Sequence, residues 1–184
     1  MSGNSNFTFI GNEILRNNLD MAFSHILKLI TVLGICKEKE EQSAFGKTVI
    51  IYTASIIEAL LLWLIKQKIK ESKTILDFND CWKYENIKIL HKFGSKRKKE
   101  IICGNRLRKV KNLNKLDFNL IIRIVKYNKI ITDKTFINNL DKVRQMRNKI
   151  HIGGLKEVEK EYTKNDLEFI FSVAKEIKEI CIKY

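Results

Sequence analysis

The residues of this chain best suited to chemistry lie close together near its C-terminal third. Arg144, Arg147, Asn148 and His151 fall within eight residues, at the end of a stretch with helical periodicity. An arginine can bind a phosphate, an amide can orient it, and an imidazole can take up or release a proton near neutral pH. This combination predicts a site that binds and cleaves a phosphodiester, with nucleic acid as the first candidate substrate.

On a helical wheel, the stretch over 135–151 places these groups beside an apolar face. Arg147 falls inside the apolar sector, whereas Arg144 and His151 fall at its edge. An arginine in an apolar stripe needs a carboxylate or an anion as its partner, because an unpaired buried charge is costly. We therefore expect an acidic side chain or a bound phosphate next to Arg147.

Glu58 is the best candidate for that acidic partner. It lies in the apolar run over 49–65, where a single glutamate is costly unless it is paired. We predict that it pairs with Arg147 or with Arg144. Two interpretations stay open. The pair can be structural, with His151 capping the end of its helix where the dipole favours a cation, or the same groups can be catalytic.

The segment LDKVRQMRNKIHI, over 140–152, resembles the signature of the HEPN superfamily (higher eukaryotes and prokaryotes nucleotide-binding). In that signature an arginine, usually followed by a polar residue such as asparagine, precedes a histidine. The predicted helical order is similar too, as is a long second helix that carries a glutamate in an apolar run. The family usually has four to six residues between arginine and histidine. Here Arg147 leaves three before His151, and Arg144 leaves six, so either arginine can be the motif residue.

The resemblance implies an endoribonuclease that needs no metal and no cofactor, acts as a toxin or antiviral effector, and cleaves RNA by 2′-hydroxyl attack. It also implies a homodimer, which would bring two copies of the motif together. The alternative is a non-catalytic binding or regulatory module of the same fold, which partners a nucleotidyltransferase or another defence subunit. A toxin would also have an antitoxin partner. The catalytic residues implied are Arg147, Asn148, His151, Arg144 and Glu58.

The charge of the chain favours a polyanionic partner. Its 35 basic and 21 acidic residues give a net charge of +14, which suits nucleic acid or an anionic membrane surface. The region 83–129 holds fifteen Lys and Arg against three acidic residues, so +12 of the total is concentrated there. We interpret it as an RNA-binding platform, with a solvated loop as the alternative. The predicted RNA-binding residues are Lys96, Arg97, Lys98, Lys99, Arg106, Arg108, Lys109 and Lys111.

The fold predicted from these patterns is mainly all-α, a single HEPN-like domain over 1–184 with a basic insertion. The chain has no proline and only 8 glycines, so long helices can run uninterrupted. A small β-hairpin is predicted near 100–111, with its turn at Gly104-Asn105. Thr132 or Asp133 should cap the fourth helix, and Thr163 with Asp166 should open the last one as a capping box. Helices are predicted over 12–33, 42–70, 118–127 and 135–150, and from 163 onwards.

The remaining patterns point to a cytoplasmic protein without a membrane partner. The four cysteines have no metal-ligand spacing, which is typical of reduced thiols in the cytosol. The N-terminus lacks the basic and apolar regions of a signal peptide. The apolar run over 49–65 is slightly short for a membrane span and contains a glutamate, which favours a buried core helix.

Overall fold

The computed structural model describes residues 5–72, 82–93, 99–108, 113, 116–149 and 161–184. Within them, the prediction of a mainly all-α fold with a small hairpin is confirmed. The elements, in chain order, are α1 (Glu13–Ile35), α2 (Lys39–Ser72), β1 (Trp82–Phe93), β2 (Lys99–Arg108), α3 (Phe118–Tyr127), α4 (Lys134–Asn148) and α5 (Lys164–Lys183).

Helix α2 is the centre of the core, and α1, α3, α4 and α5 all pack against it. The middle of α2 is apolar on nearly every side, so it needs packing partners on several sides to bury these residues. Ile50, Ile57, Leu60 and Leu64 are fully buried. The prediction that the run over 49–65 forms a buried core helix is therefore confirmed.

Local capping signals set the starts of the last three helices. Asp117 caps α3, and Asp133 caps α4 by accepting from the backbone of Thr135 and Phe136. The capping box of Thr163 and Asp166 is formed in full at the start of α5. Of the two caps proposed for α4, Asp133 is the one used, because its carboxylate satisfies two backbone donors that the helix leaves unpaired.

Within the basic region over 83–129, the described strands form a hairpin, but the predicted position of its turn is wrong. β1 and β2 pair antiparallel, with Trp82 opposite Arg108 and Phe93 opposite Lys99. Gly104 and Asn105 therefore lie inside β2 and not in a turn. Turn propensity is a local tendency, and here the hydrogen bonds to the longer partner strand β1 override it. The extra residues of β1 are absorbed by bulges, and Asn86 has a positive φ of 54° in one of them.

Helix α1 is the least buried of the helices. Leu19 and Ile26 face the core, whereas the side chains of Ile14 and Ile35 are each 75% exposed. By length and composition alone, both α1 and Lys39–Glu71 are apolar enough to cross a membrane. The apolar window of α2 is mostly buried within the protein, and that of α1 is not. The surface of α1 therefore retains apolar area that no described element covers.

Candidate active site

The C-terminal part of α4 packs against the middle of α2, and an arginine and a glutamate meet there. Arg147 lies one turn beyond the fully buried Val143, so its side chain leaves α4 on the core side. Its Nη1 donates a hydrogen bond to Oε2 of Glu58 at 2.6 Å. The exposed fraction is 18% for the Glu58 side chain and 32% for Arg147. The predicted pairing of Glu58 with Arg147 is confirmed, and the pair is half-buried.

Burial raises the pKa of Glu58 above its usual value of 4.5, because the charged form loses water. The Arg147 guanidinium opposes that rise without cancelling it, and the carboxylate of Asp117 adds to it. Glu58 is therefore a carboxyl group that holds its proton more tightly than an exposed glutamate does. A perturbed carboxyl beside a fixed cation is a common arrangement in sites that move protons.

Arg144 has a different partner. Its Nε donates to Oδ1 of Asp141 at 2.7 Å, and the amide of Gln145 donates to the other oxygen of the same carboxylate. The guanidinium lowers the pKa of Asp141, since it stabilises the charged form. The alternative pairing of Glu58 with Arg144 is thus not formed, and the two arginines pair with separate carboxylates.

The end of α4 comes slightly earlier than predicted. The helix ends at Asn148, with Lys149 as its C-cap, and Asn148 is exposed. Tyr162, just before α5, donates through its hydroxyl to the backbone oxygen of Met146 at 3.5 Å, so the described chain re-enters beside this helix end. His151, Ile150 and the predicted helix stop at Gly153-Gly154 lie outside the described residues.

Only part of the predicted RNA-binding platform falls on described backbone. Lys99, Arg106 and Arg108 lie on β2. The side chains that are described at the centre of the hairpin, such as Lys88, Ile89 and Ile102, are exposed. The hairpin thus offers a two-stranded surface without burying it under the helices. The predicted contacts outside the described residues are Lys96, Arg97, Lys98, Lys109 and Lys111.

Asp117 is the residue of this site that sequence reasoning missed. It accepts from the backbone of Leu120 at 2.8 Å as the N-cap of α3, and its charge acts on Glu58 across the helix interface. The sequence contains a signal for the cap, because an aspartate precedes the apolar run over 118–125. It contains no signal for the approach to Glu58, which depends on how α3 packs on α2.

Other residues of chemical interest have ordinary structural roles. His25 packs edge-on against Tyr52, with ring centroids 5.6 Å apart. Cys36, Cys103 and Cys181 are free thiols, and burial raises the pKa of Cys181 to about 12, as expected for an inert core cysteine. Among the described residues, no group of three or more His, Cys, Asp and Glu is placed to hold a metal ion.

The pKa of Glu58 should respond in opposite directions to its two charged neighbours. Arg147→Met removes the stabilising cation, so the pKa should rise further. Asp117→Asn removes the repelling charge while keeping a good N-cap, so it should fall. A carboxyl carbon-13 NMR titration measures both. Because an unpaired carboxylate is left in a half-buried place, Arg147→Met should also lower the free energy of unfolding by roughly 1–3 kcal/mol at neutral pH.

The same shifts fix the pH dependence of stability. Since the pKa of Glu58 is higher in the folded chain, the folded state binds more protons, and the free energy of unfolding falls as pH rises from about 4.5 through that raised pKa. Glu58→Gln should lack this fall. Asp141 provides the control of opposite sign. Its contribution is present above its usual value of 3.8 and is lost as pH falls through its lowered pKa. Urea melts at several pH values measure the free energy of unfolding as a function of pH. If it changes with pH equally in wild type and in Glu58→Gln, the assignment to Glu58 is wrong.

Comparison of the chain with family models, curated proteins and solved structures finds no match to any of them.

Proposed function

We propose that this chain is an endoribonuclease of the HEPN type, which acts as a toxin or antiviral defence effector in the cytoplasm. The observation that carries the proposal is the contact between Arg147 and Glu58 at 2.6 Å. Arg147, one of the two candidate motif arginines, and the glutamate of the long second helix are two of the features on which the resemblance rests, and they lie 89 positions apart in the sequence. Their meeting at one half-buried point favours a shared role.

In the proposed reaction, a base takes the proton of an RNA 2′-hydroxyl, whose oxygen attacks the adjacent phosphorus. An acid then protonates the departing 5′-oxygen, leaving a 2′,3′-cyclic phosphate. His151 is suited to proton transfer because its unperturbed pKa lies near ~6.5. Arg147, held by Glu58, would stabilise the negative charge that develops on the phosphorane oxygens. Asn148, exposed at the end of α4, would orient the scissile phosphate or the imidazole.

A homodimer belongs to this proposal, because two proton-transfer groups are needed and each chain offers one histidine near the motif. The C-terminal end of α4 would approach its copy across a two-fold axis, so each site would use His151 from both chains. The basic hairpin of β1 and β2 would hold the RNA backbone beside the composite site.

The second candidate is a binding or regulatory module that does not cleave RNA, with a nucleotidyltransferase, an antitoxin or another defence subunit as its partner. One observation favours it. Arg147 and Arg144 each already have a carboxylate partner within hydrogen-bond distance, Glu58 and Asp141, so their charges are compensated without any ligand. A compensated arginine suits a structural role, and it must exchange or share its partner to bind a phosphate.

The experiment that separates the two candidates is cleavage of a labelled RNA by the purified chain in EDTA. The proposed ribonuclease yields fragments that end in a 2′,3′-cyclic phosphate or the 3′-phosphate derived from it. A deoxyribose substitution at the cleaved position should abolish the reaction, since the attacking hydroxyl is gone. A chain that binds RNA but leaves it intact with and without added divalent metal would establish the binding module instead.

A further inference from the structure

A cavity whose lining includes neither Glu58 nor Arg147 lies between α1 and α5 and over α2. Its volume is about 340 Å³. The walls are mainly apolar and aromatic side chains, among them Phe23, Leu27 and Ile30 of α1, Ile56 of α2, and Phe171 and Ala174 of α5. This volume and lining fall within the range of cavities that bind small molecules in proteins.

The apolar walls of this cavity are not fully covered by the protein itself. Leu27 is 51% exposed and Ile30 is 37% exposed. Asn6 and Thr53 are the uncharged polar residues of the lining, and Thr53 is buried. Its hydroxyl donates to the backbone oxygen of Val49 at 2.8 Å, so that donor is already used within α2. Among the apolar walls around Thr53, a polar group would lose hydration without gaining a partner, so this part of the cavity suits a hydrocarbon.

Two cations lie among the lining residues. Lys175 and Lys178 are three positions apart on α5 and therefore share one side of that helix. The Nζ of Lys178 lies 5.3 Å from the centroid of the Phe7 ring, which holds the ammonium beside the apolar wall. Neither ammonium forms an ion pair with a carboxylate of the described residues. An anion bound there would not have to displace a carboxylate of the described part of the chain.

We propose that this cavity binds a long-chain carboxylate. The hydrocarbon chain lies between α1 and α5 over Ile56, and the carboxylate lies between Lys175 and Lys178. The apolar lining selects the chain, and the two ammonium groups select the anionic head. A cavity of roughly 150 Å³ holds the six carbons of benzene, so 340 Å³ holds a chain of roughly a dozen carbons.

Calorimetric titration of the full chain with hexanoate, octanoate, decanoate and dodecanoate, each below its micelle concentration, tests the proposal. Each added methylene should tighten binding by about fourfold until the cavity is full. Decanol should bind on the order of tenfold more weakly than decanoate, since it lacks the charge. Wild-type protein that binds none of these ligands, or binds all four acids equally, overturns the proposal.

Charge variants test the head group separately from the chain. Lys175→Gln and Lys178→Gln should each weaken decanoate several-fold and leave decanol unchanged. Lys183→Gln, which removes the same charge from an exposed place on α5 outside the lining, should bind like wild type. If all three lysine variants bind decanoate alike, the carboxylate assignment is wrong.

Two further variants test where the chain lies. Ala174→Phe should fill the cavity and remove the dependence on chain length. Leu27→Gln changes a half-exposed wall residue, so the variant should fold normally and still weaken the binding of the longer acids most.

Sedimentation with anionic phospholipid vesicles tests whether the groove binds a membrane surface instead. Binding to vesicles without any binding of free decanoate would mean that α1 binds a lipid surface. A stable dimer that is lost in Leu27→Gln would mean that a second copy of the chain covers the groove. Either result overturns the proposal.

Discussion

Arg147→Ala is expected to lower the rate of RNA cleavage by on the order of 10²-fold or more. The guanidinium is the cation that Glu58 holds at 2.6 Å, and loss of one group that stabilises a developing oxyanion typically costs this much. His151→Ala should cause a loss of similar size, because a positioned acid or base contributes on the order of 10²–10⁴-fold. Single-turnover cleavage of a labelled RNA measures both effects.

The Arg144→Ala variant tests which arginine is the motif residue. The partner of Arg144 is Asp141 on the same helix, and not Glu58. We therefore expect Arg144→Ala to slow cleavage less than Arg147→Ala, and an equal loss would show that both arginines serve the site. Lys142→Ala is the matched control, since it removes an exposed cation from the same helix. Thermal melts must show that each variant is folded. His151→Ala that cleaves as well as wild type would refute the ribonuclease proposal.

Removal of positive charge from the predicted RNA-binding platform should weaken RNA binding far more than the same loss elsewhere. Replacing Lys96, Arg97, Lys98 and Lys99 by serine removes four charges. So does replacing Arg106, Arg108, Lys109 and Lys111. Each set should lower affinity by on the order of a hundredfold at low salt, and each lost phosphate contact should reduce the slope of log K against log salt by about one. Fluorescence anisotropy at several salt concentrations provides both values.

The control for this experiment removes four lysines that are exposed outside the hairpin. Lys37, Lys39, Lys164 and Lys183 lie on or beside the helices and give the same change in net charge. If RNA binding depends only on the overall charge of +14, the control variant and the platform variants will lose RNA affinity to the same extent. If both sets of replacements in the predicted platform leave the affinity and the slope unchanged, these residues do not form an RNA-binding platform.

Several features of this chain could be read from local sequence because the interactions that decide them are local. The prediction of 118–127 as a helix matches α3 residue for residue, and Asp133 and Thr163 cap the helices that they were expected to cap. A cap depends on a side chain and backbone groups two or three positions away, so the sequence contains all of its parts. The burial of α2 follows equally directly from its continuous apolar composition.

The pairing of Glu58 with one of the two arginines was also accessible before the fold was known. Glu58 and Arg147 are each costly in an apolar setting unless they find a charge of opposite sign. What the sequence left open was which arginine would meet the glutamate. The packing of α4 on α2 brings Arg147 to Glu58, whereas Arg144 pairs with Asp141 on its own helix.

Only the tertiary structure decided the features that depend on distant parts of the chain. Gly104-Asn105 has the composition of a turn, yet it lies within β2 because strand pairing with β1 supplies hydrogen bonds that a local turn cannot. Asp117 approaches Glu58 only because α3 packs on α2, and the groove between α1 and α5 exists only because both rest on the same helix. Composition and capping thus determined where the helices lie in the sequence and that Glu58 needs a cation as its partner. The choice of neighbours, and with it the geometry of both candidate sites, came from helix packing and strand pairing between segments far apart in the chain.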